Sequence, residues 1–195
     1  IGLFEGIGGF SISADWMGWE TLVTYEINPF GQNNLRYYLP NAYHHGDIHT
    51  LTYDTINTEL TKRFGKGWRN DNIILTGGPP CQPVSLAGKR KGDTDDRWLW
   101  PEAIRIFREV KPAVAVFENP PGILSMEKGR LFRGILSAME DEGYKTERFI
   151  IPAAGVQAPH KRDRVWIVAY SDSFGCPIPI QQRGQNKATY INATG

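Results

Sequence analysis

The chain has 195 residues, of which 41% are apolar and 22% are charged, and its formal net charge at pH 7 is +1. This composition is typical of one globular domain, and the balanced charge by itself favours no nucleic-acid partner. Two cysteines do not make a disulfide framework, and no apolar run reaches the roughly 18 residues of a membrane helix. We therefore expect a cytoplasmic protein that binds no membrane and, without a Cys/His cluster, no metal.

Short strand-like apolar runs alternate with longer helical patterns, which predicts an α/β domain over residues 1–170. The predicted strands cover residues 1–4, 21–27, 72–76, 112–117, 144–151 and 164–170. The predicted helices cover residues 10–17, 53–64, 98–110 and 131–142, and another begins at Pro29. The last two strands are joined too closely for a crossover helix, so we expect them to pair antiparallel at the edge of a mostly parallel sheet. The polar segment 171–195 is predicted to be a tail or the stub of a further region.

The segment LFEGIGGF places Gly6, Gly8 and Gly9 between the first strand and the first helix. Glycines let a ligand approach the backbone, and a helix N-terminus favours electronegative groups. Glu26, at the end of the second strand, can accept hydrogen bonds from both hydroxyls of an adenosine ribose, and Asp47 follows a third strand near the adenine. This order predicts a nucleotide site, whereas a tight turn with a solvated carboxylate is the alternative.

The turn also bears on which nucleotide would bind. Ser11 stands where a dinucleotide-binding turn usually has glycine or alanine. S-adenosylmethionine carries adenosine without a pyrophosphate, so it fits the shorter turn better. A nicotinamide-dependent oxidoreductase is the alternative, and only the glycine turn and Glu26 support it.

Cys81 lies in the loop GGPPCQP, directly after an apolar strand. Its proline and glycine neighbours keep it out of regular structure, at the strand end where open α/β sheets place their active sites. A free cysteine is often only a small buried residue, but this loop is not typical of a core. We therefore interpret Cys81 as a nucleophile, with Glu118 of FENPPG, at the exit of another apolar strand, as its proton-donating partner.

Basic residues follow in two further segments. Arg162 and Arg164 of PHKRDRVWIVA alternate, so their side chains point the same way in extended backbone and could hold a phosphate and a base carbonyl. Pairing with surface acids such as Asp163 is the alternative. The segment AGKRKGDTDDRW, residues 87–98, is either a solvated loop or a lid over a nucleic-acid backbone.

Together these segments resemble the cytosine-5 DNA methyltransferases. LFEGIGGF resembles the first motif of that family, GGPPCQPVS the fourth, FENPPG the sixth and PHKRDRVWIVA the eighth, in the same order over residues 1–170. The resemblance implies a Rossmann-like, S-adenosylmethionine-dependent methyltransferase sheet, mostly parallel with an antiparallel edge strand. It also implies action on double-stranded DNA by base flipping, as in bacterial or phage restriction–modification.

The resemblance further implies a role for each matching residue. Cys81 would attack carbon 6 of a flipped-out cytosine, Glu118 would hold and protonate ring nitrogen 3, and Arg164, beside Arg162, would contact the base carbonyl. The cofactor site would be lined by Phe4, Gly6, Ile7, Gly8, Gly9, Glu26, Ile27, Asp47, Ile48, Pro80 and Leu99. The DNA contacts would come from Gln82, Ser85, Lys89, Arg90, Arg97, Asn119 and His160.

The sequence departs from the family pattern in two ways. Val84, Pro120 and His160 replace a phenylalanine, a valine and a glutamine that are common at these places. The target recognition domain and the last two motifs would follow residue 170, and the chain begins inside its first motif. We therefore expect either that a second chain supplies these parts, or that this chain is a catalytically incomplete subunit that binds DNA or a partner. The catalytic motifs leave RNA open as a substrate.

Overall fold

A computed structural model describes residues 1–68, 73–81 and 98–171 of the protein. In this part of the chain, seven strands form one sheet in the order β3-β2-β1-β4-β5-β7-β6. The strands are β1 (Gly2–Leu3), β2 (Val23–Tyr25), β3 (Tyr43–His45), β4 (Ile74–Gly77), β5 (Val114–Asn119), β6 (Tyr144–Pro152) and β7 (Asp163–Ser171). The predicted tail, residues 171–195, begins with Ser171, which instead ends β7. The rest of that tail and most of the predicted lid lie outside the described residues.

Five α-helices connect the described strands, and local sequence signals start two of them. The Asn28 side chain accepts a hydrogen bond from the Phe30 amide at 2.9 Å, and Thr52 accepts one from the Thr55 amide at 3.3 Å, as N-cap residues do. The helices are α1 (Gly9–Trp16), α2 (Pro29–Tyr38), α3 (Tyr53–Phe64), α4 (Trp100–Val110) and α5 (Arg130–Glu140). None of the helices in this part of the chain is long and apolar enough to span a membrane.

The strand order determines where a ligand can enter. The chain moves from β1 outward to β2 and β3, and then returns to β4 on the other side of β1. Right-handed crossovers accordingly put α1 and α2 on one face of the sheet and α3, α4 and α5 on the other. The carboxyl ends of β1 and β4 form the switch point, where open α/β sheets bind their ligands.

The predicted sheet is confirmed, with one refinement at its edge. β1, β2, β3, β4 and β5 are parallel, and β6 and β7 form the expected antiparallel pair. The strand that runs against the others is β7, which also pairs antiparallel with β5 and therefore lies one position inside the edge strand β6. Consequently the beginning of β7, and not its end, lies beside the carboxyl end of β5.

The core lies mainly between the sheet and α4 with α5. Ala103, Ile106 and Phe107 of α4 have no exposed surface, as the apolar periodicity of this helix predicts. In β5 every second residue faces this layer, so that Ala115, Phe117 and Asn119 are buried. Because the side chains of β5 alternate between the two faces as far as Asn119, the Glu118 side chain points to the face of the sheet away from α4 and α5, above the switch point.

Candidate active site

The glycine turn after β1 is folded around the Glu26 carboxylate. The Gly6 amide donates to Glu26 Oε2 and the Asn28 amide donates to Glu26 Oε1, both at 2.7 Å. Phe4, Gly6 and Gly8 all have positive φ, at 55°, 58° and 96°, which bends the chain sharply into α1. Each Glu26 oxygen keeps acceptor capacity, so the carboxylate is held at the strand end and can still bind hydroxyl groups.

Helix α2 packs against this turn through Gly31, which the sequence analysis did not identify. A Cβ atom at Gly31 would lie 2.4 Å from the Gly6 carbonyl oxygen and 2.8 Å from Glu26 Cγ. Only glycine permits this approach. The signal in the sequence is a glycine in the first turn of a helix, where its low helix propensity has no local explanation.

We expect Gly31→Ala to weaken binding of S-adenosylhomocysteine about tenfold, because the new methyl group displaces the turn and the carboxylate together. Isothermal titration calorimetry measures this affinity. Gly134→Ala is the matched control, since Gly134 is also inside a helix but its Cβ would meet nothing within 4 Å. Equal affinities for the two variants would show that the close contact does not shape the site.

The other predicted cofactor residues differ in how exposed their side chains are. Ile7 and Ile27 are each 64% exposed, whereas the half-buried Phe4 ring packs edge-on against Tyr25 at 5.0 Å between centroids. Ile48 is only 1% exposed, so its side chain belongs to the core, and its place in the cofactor site stays a prediction. The start of α1 holds Gly8 and Gly9. Pro80 directly precedes Cys81, and Leu99 is the N-cap residue of α4.

Cys81 is partly buried where β4 leads into the proline loop. Its Sγ atom lies 3.3 Å from Sδ of Met126, and its backbone forms an isolated antiparallel bridge with Trp98. Burial raises the pKa of the Cys81 thiol to about 11. In these surroundings the thiol is protonated at neutral pH.

Glu118 and Arg164 form an ion pair across β5 and β7. Because Glu118 pairs with Trp166 in the antiparallel register, Arg164 lies diagonally opposite and its Nε donates to Glu118 Oε1. Burial raises the pKa of the Glu118 carboxyl, although the guanidinium groups of Arg164 and Arg162 oppose the shift. The direction favours a carboxyl group that retains a proton for donation.

At the switch point, the glycine turn lies close to the Glu118 carboxylate. A Cβ atom at Gly78 would lie 3.5 Å from Glu118 Oε2 and 3.9 Å from both the Phe4 carbonyl oxygen and the Phe10 ring. The Phe10 ring in turn contacts Trp166 of β7, with 6.0 Å between centroids. The glycine turn, the strand that leads to Cys81 and the Glu118 carboxylate thus share one edge of the sheet.

Asn119, predicted to contact DNA, is instead buried, with 1% of its surface exposed. Its Nδ2 atom donates to the Pro79 carbonyl oxygen at 3.0 Å. This hydrogen bond holds the proline loop against β5, and the contact of Asn119 with DNA stays a prediction. Met126, which the sequence analysis also missed, covers the sulfur of Cys81 from a short 3-10 helix.

The remaining predicted site residues lie either on the surface or outside the described part of the chain. His160 and Arg162 are exposed in the connection between β6 and β7. The predicted DNA contacts that lie outside the described residues are Gln82, Ser85, Lys89, Arg90 and Arg97. Among residues 1–68, 73–81 and 98–171, no group of three or more His, Cys, Asp or Glu side chains could hold a metal ion.

The family model described as C-5 cytosine-specific DNA methylase matches residues 1–194. The chain belongs to this family. It is 34% identical to the Type II methyltransferase M.AquIA of Picosynechococcus sp., over all of this chain and 81% of the relative. It is 33% identical to the Type II methyltransferase M.HpaII of Haemophilus parainfluenzae, over 93% of this chain but only 50% of the relative.

Two solved structures have a fold similar to that of this chain. A Spodoptera frugiperda DNMT2 variant superposes with a TM-score of 0.70 at 19% identity, over 95% of this chain and 53% of its own. The Entamoeba histolytica methyltransferase EhMeth gives a TM-score of 0.68 at 19% identity, over 91% of this chain and 54% of its own. The chain therefore spans about half the length of these structures and of M.HpaII.

Proposed function

We propose that this chain is the catalytic portion of a DNA (cytosine-5)-methyltransferase of a bacterial or phage modification system. The observation that carries the proposal is that the Glu118–Arg164 ion pair lies beside Gly78, at the sheet edge where β4 leads to Cys81 and where the glycine turn holds Glu26. A nucleophile, a proton donor and a nucleotide site are the three parts that this reaction requires. The chain belongs to a family described by the same reaction.

The cofactor of the proposed reaction is S-adenosylmethionine, which supplies the methyl group when it is bound. The Glu26 carboxylate is held by two backbone amides with acceptor capacity to spare, which suits ribose hydroxyls. The exposed Ile7 and Ile27 side chains and the Phe4 ring offer apolar contacts to the adenosine. The N-terminus of α1 favours the carboxylate of the methionine part.

Cytosine must leave the duplex before its ring carbons can be reached. Cys81, as the thiolate, then forms a bond to carbon 6, while Glu118 holds ring nitrogen 3 and gives it a proton. Carbon 5 would then take the methyl group, whose bond to the cofactor sulfur breaks and leaves S-adenosylhomocysteine, while Arg164 would hold the base carbonyl oxygen. Loss of the proton from carbon 5 would expel the Cys81 sulfur as thiolate, and return of the proton from ring nitrogen 3 to Glu118 would restore the neutral aromatic base.

The ion pair between Glu118 and Arg164 prepares this step. Arg164 is only about one quarter exposed on its side chain, as is Glu118, so both groups are held rather than free in solvent. The raised pKa of Glu118 favours the protonated carboxyl that ring nitrogen 3 requires.

A second candidate is a subunit that binds double-stranded DNA or a partner chain and lacks activity alone. The observation that favours it is the half-length match to M.HpaII. The nicotinamide alternative has no support from the family match. The cytoplasmic location stays a prediction.

Transfer of a labelled methyl group from S-adenosylmethionine to mixed genomic DNA tests the proposal. We expect the label in 5-methylcytosine after digestion to nucleosides. Cofactor binding without any label would favour the second candidate, and label in another nucleoside would contradict the proposed reaction. Parallel reactions with transfer RNA distinguish an RNA substrate from DNA.

A further inference from the structure

Arg105, in the middle of α4, holds the chain that follows β3. Its Nη2 atom donates to the carbonyl oxygens of Ile48 at 2.8 Å and of Leu51 at 2.9 Å. Its Nε and Nη1 atoms donate to Glu102 Oε2 at 2.8 Å and to Glu109 Oε1 at 2.9 Å. The two carboxylates therefore orient the guanidinium toward a turn that is more than 50 residues away in the sequence.

The same network fixes both ends of this turn. The second oxygen of Glu109 accepts a hydrogen bond from the Tyr53 amide, the first residue of α3, at 3.0 Å. Glu102 Oε1 lies 3.6 Å from His49 Nδ1. The turn is thus joined to α4 at its beginning, its middle and its end.

Helix α4 is a rigid support for these contacts. Its opposite face is fully buried in the core, whereas the Arg105 side chain is 31% exposed at the edge of the helix. Charge-assisted hydrogen bonds to carbonyl oxygens are stronger than neutral ones, and without Arg105 the Ile48 carbonyl oxygen would keep only the Leu51 amide, at 3.3 Å. The position of the turn therefore depends on Arg105.

The turn begins at Asp47, which is exposed at the carboxyl end of β3 and caps the turn by accepting the His49 amide at 3.0 Å. Asp47 is also the residue that we place beside the adenine. We infer that Arg105 is a positioning residue for the adenine side of the cofactor site, acting through the turn that carries Asp47. This inference rests on the proposed S-adenosylmethionine site.

Calorimetric titration with S-adenosylhomocysteine of four proteins tests the inference: the unaltered chain, Arg105→Gln, Asp47→Ala and the double variant. We expect Arg105→Gln to weaken binding about tenfold in the unaltered background and to have little further effect in the Asp47→Ala background. If Arg105 only stabilised the fold, Arg105→Gln would lower the melting temperature, but the effects of Arg105→Gln and Asp47→Ala on the affinity would be independent of each other. Arg105→Lys, which keeps the charge but not the forked geometry, should give an intermediate loss.

Arg63→Gln is the matched control. Arg63 also makes a forked ion pair, with Glu20 at 2.9–3.0 Å, but on an exposed surface of α3, so its loss should leave the affinity unchanged. Unaltered affinity in folded Arg105→Gln, or independent effects of Arg105→Gln and Asp47→Ala, would overturn the inference alone. An unaltered chain that binds no S-adenosylhomocysteine would overturn the proposed cofactor site and the inference with it.

Discussion

Cys81→Ser should lower methyl transfer to DNA by at least about 10⁴-fold, because the reaction has no other group that can add to carbon 6 of the base. A serine hydroxyl is far less acidic than a thiol, and it supplies almost no anion at neutral pH. The affinity for S-adenosylmethionine should stay within about twofold, since the glycine turn and Glu26 do not contact the thiol. Label incorporated into 5-methylcytosine and calorimetry of cofactor binding measure the two quantities.

The second cysteine offers a matched control. Cys176→Ser makes the same chemical change at the only other cysteine in the sequence and should leave the rate unchanged. Equal loss of rate in both variants would indicate a general effect of cysteine replacement. A Cys81→Ser protein that still methylates DNA would rule out the covalent mechanism, whereas one that no longer binds the cofactor would show that the loop is structural.

Glu118→Gln should lower the rate of transfer about 10²- to 10⁴-fold, because the amide can still hold ring nitrogen 3 but cannot give it a carboxylic proton. Cofactor affinity should not change. Since burial raises the pKa of Glu118, the useful protonated form persists to higher pH than in a free glutamate and is lost as the pH rises through that pKa. Single-turnover rates over a pH series should show this dependence in the unaltered chain and not in the variant.

Glu20→Gln is the control for the loss of a carboxylate that pairs with an arginine. Its partner Arg63 lies on an exposed surface, so the rate should be unaffected. A Glu118→Gln variant that retains the full rate, or that keeps the same pH dependence, would exclude Glu118 as the proton donor. Loss of cofactor binding in this variant would instead place Glu118 in the nucleotide half of the site.

Much of the fold could be predicted because it depends on local patterns. The 3.6-residue period identified the buried face of α4, and the apolar run before Glu118 identified β5 as a strand. The neighbours of β7 could not be predicted, because an antiparallel pair at an edge can add to the sheet by either of its strands. That choice depends on which strand buries more apolar surface against β5.

The site was predictable where residues follow strands, because parallel strands bring their carboxyl ends to one edge. Glu26 and Glu118 could be placed at that edge in this way. Gly31, Met126 and Arg105 were missed, since each acts on a partner that is far away in the sequence or in another element. No periodicity or motif records such contacts.

The sequence by itself determined the family, the succession of strands and helices along the chain and the chemical types of the proposed reacting groups. These properties follow from local hydrophobic patterns and from motifs of adjacent residues, so they depend only on residues that are close together in the sequence. Only the tertiary structure decided that Asn119 is buried under the proline loop, that Ile48 belongs to the core and that Arg164 pairs with Glu118. Burial and pairing depend on which segments the packed core brings together, and that outcome is a property of the whole chain.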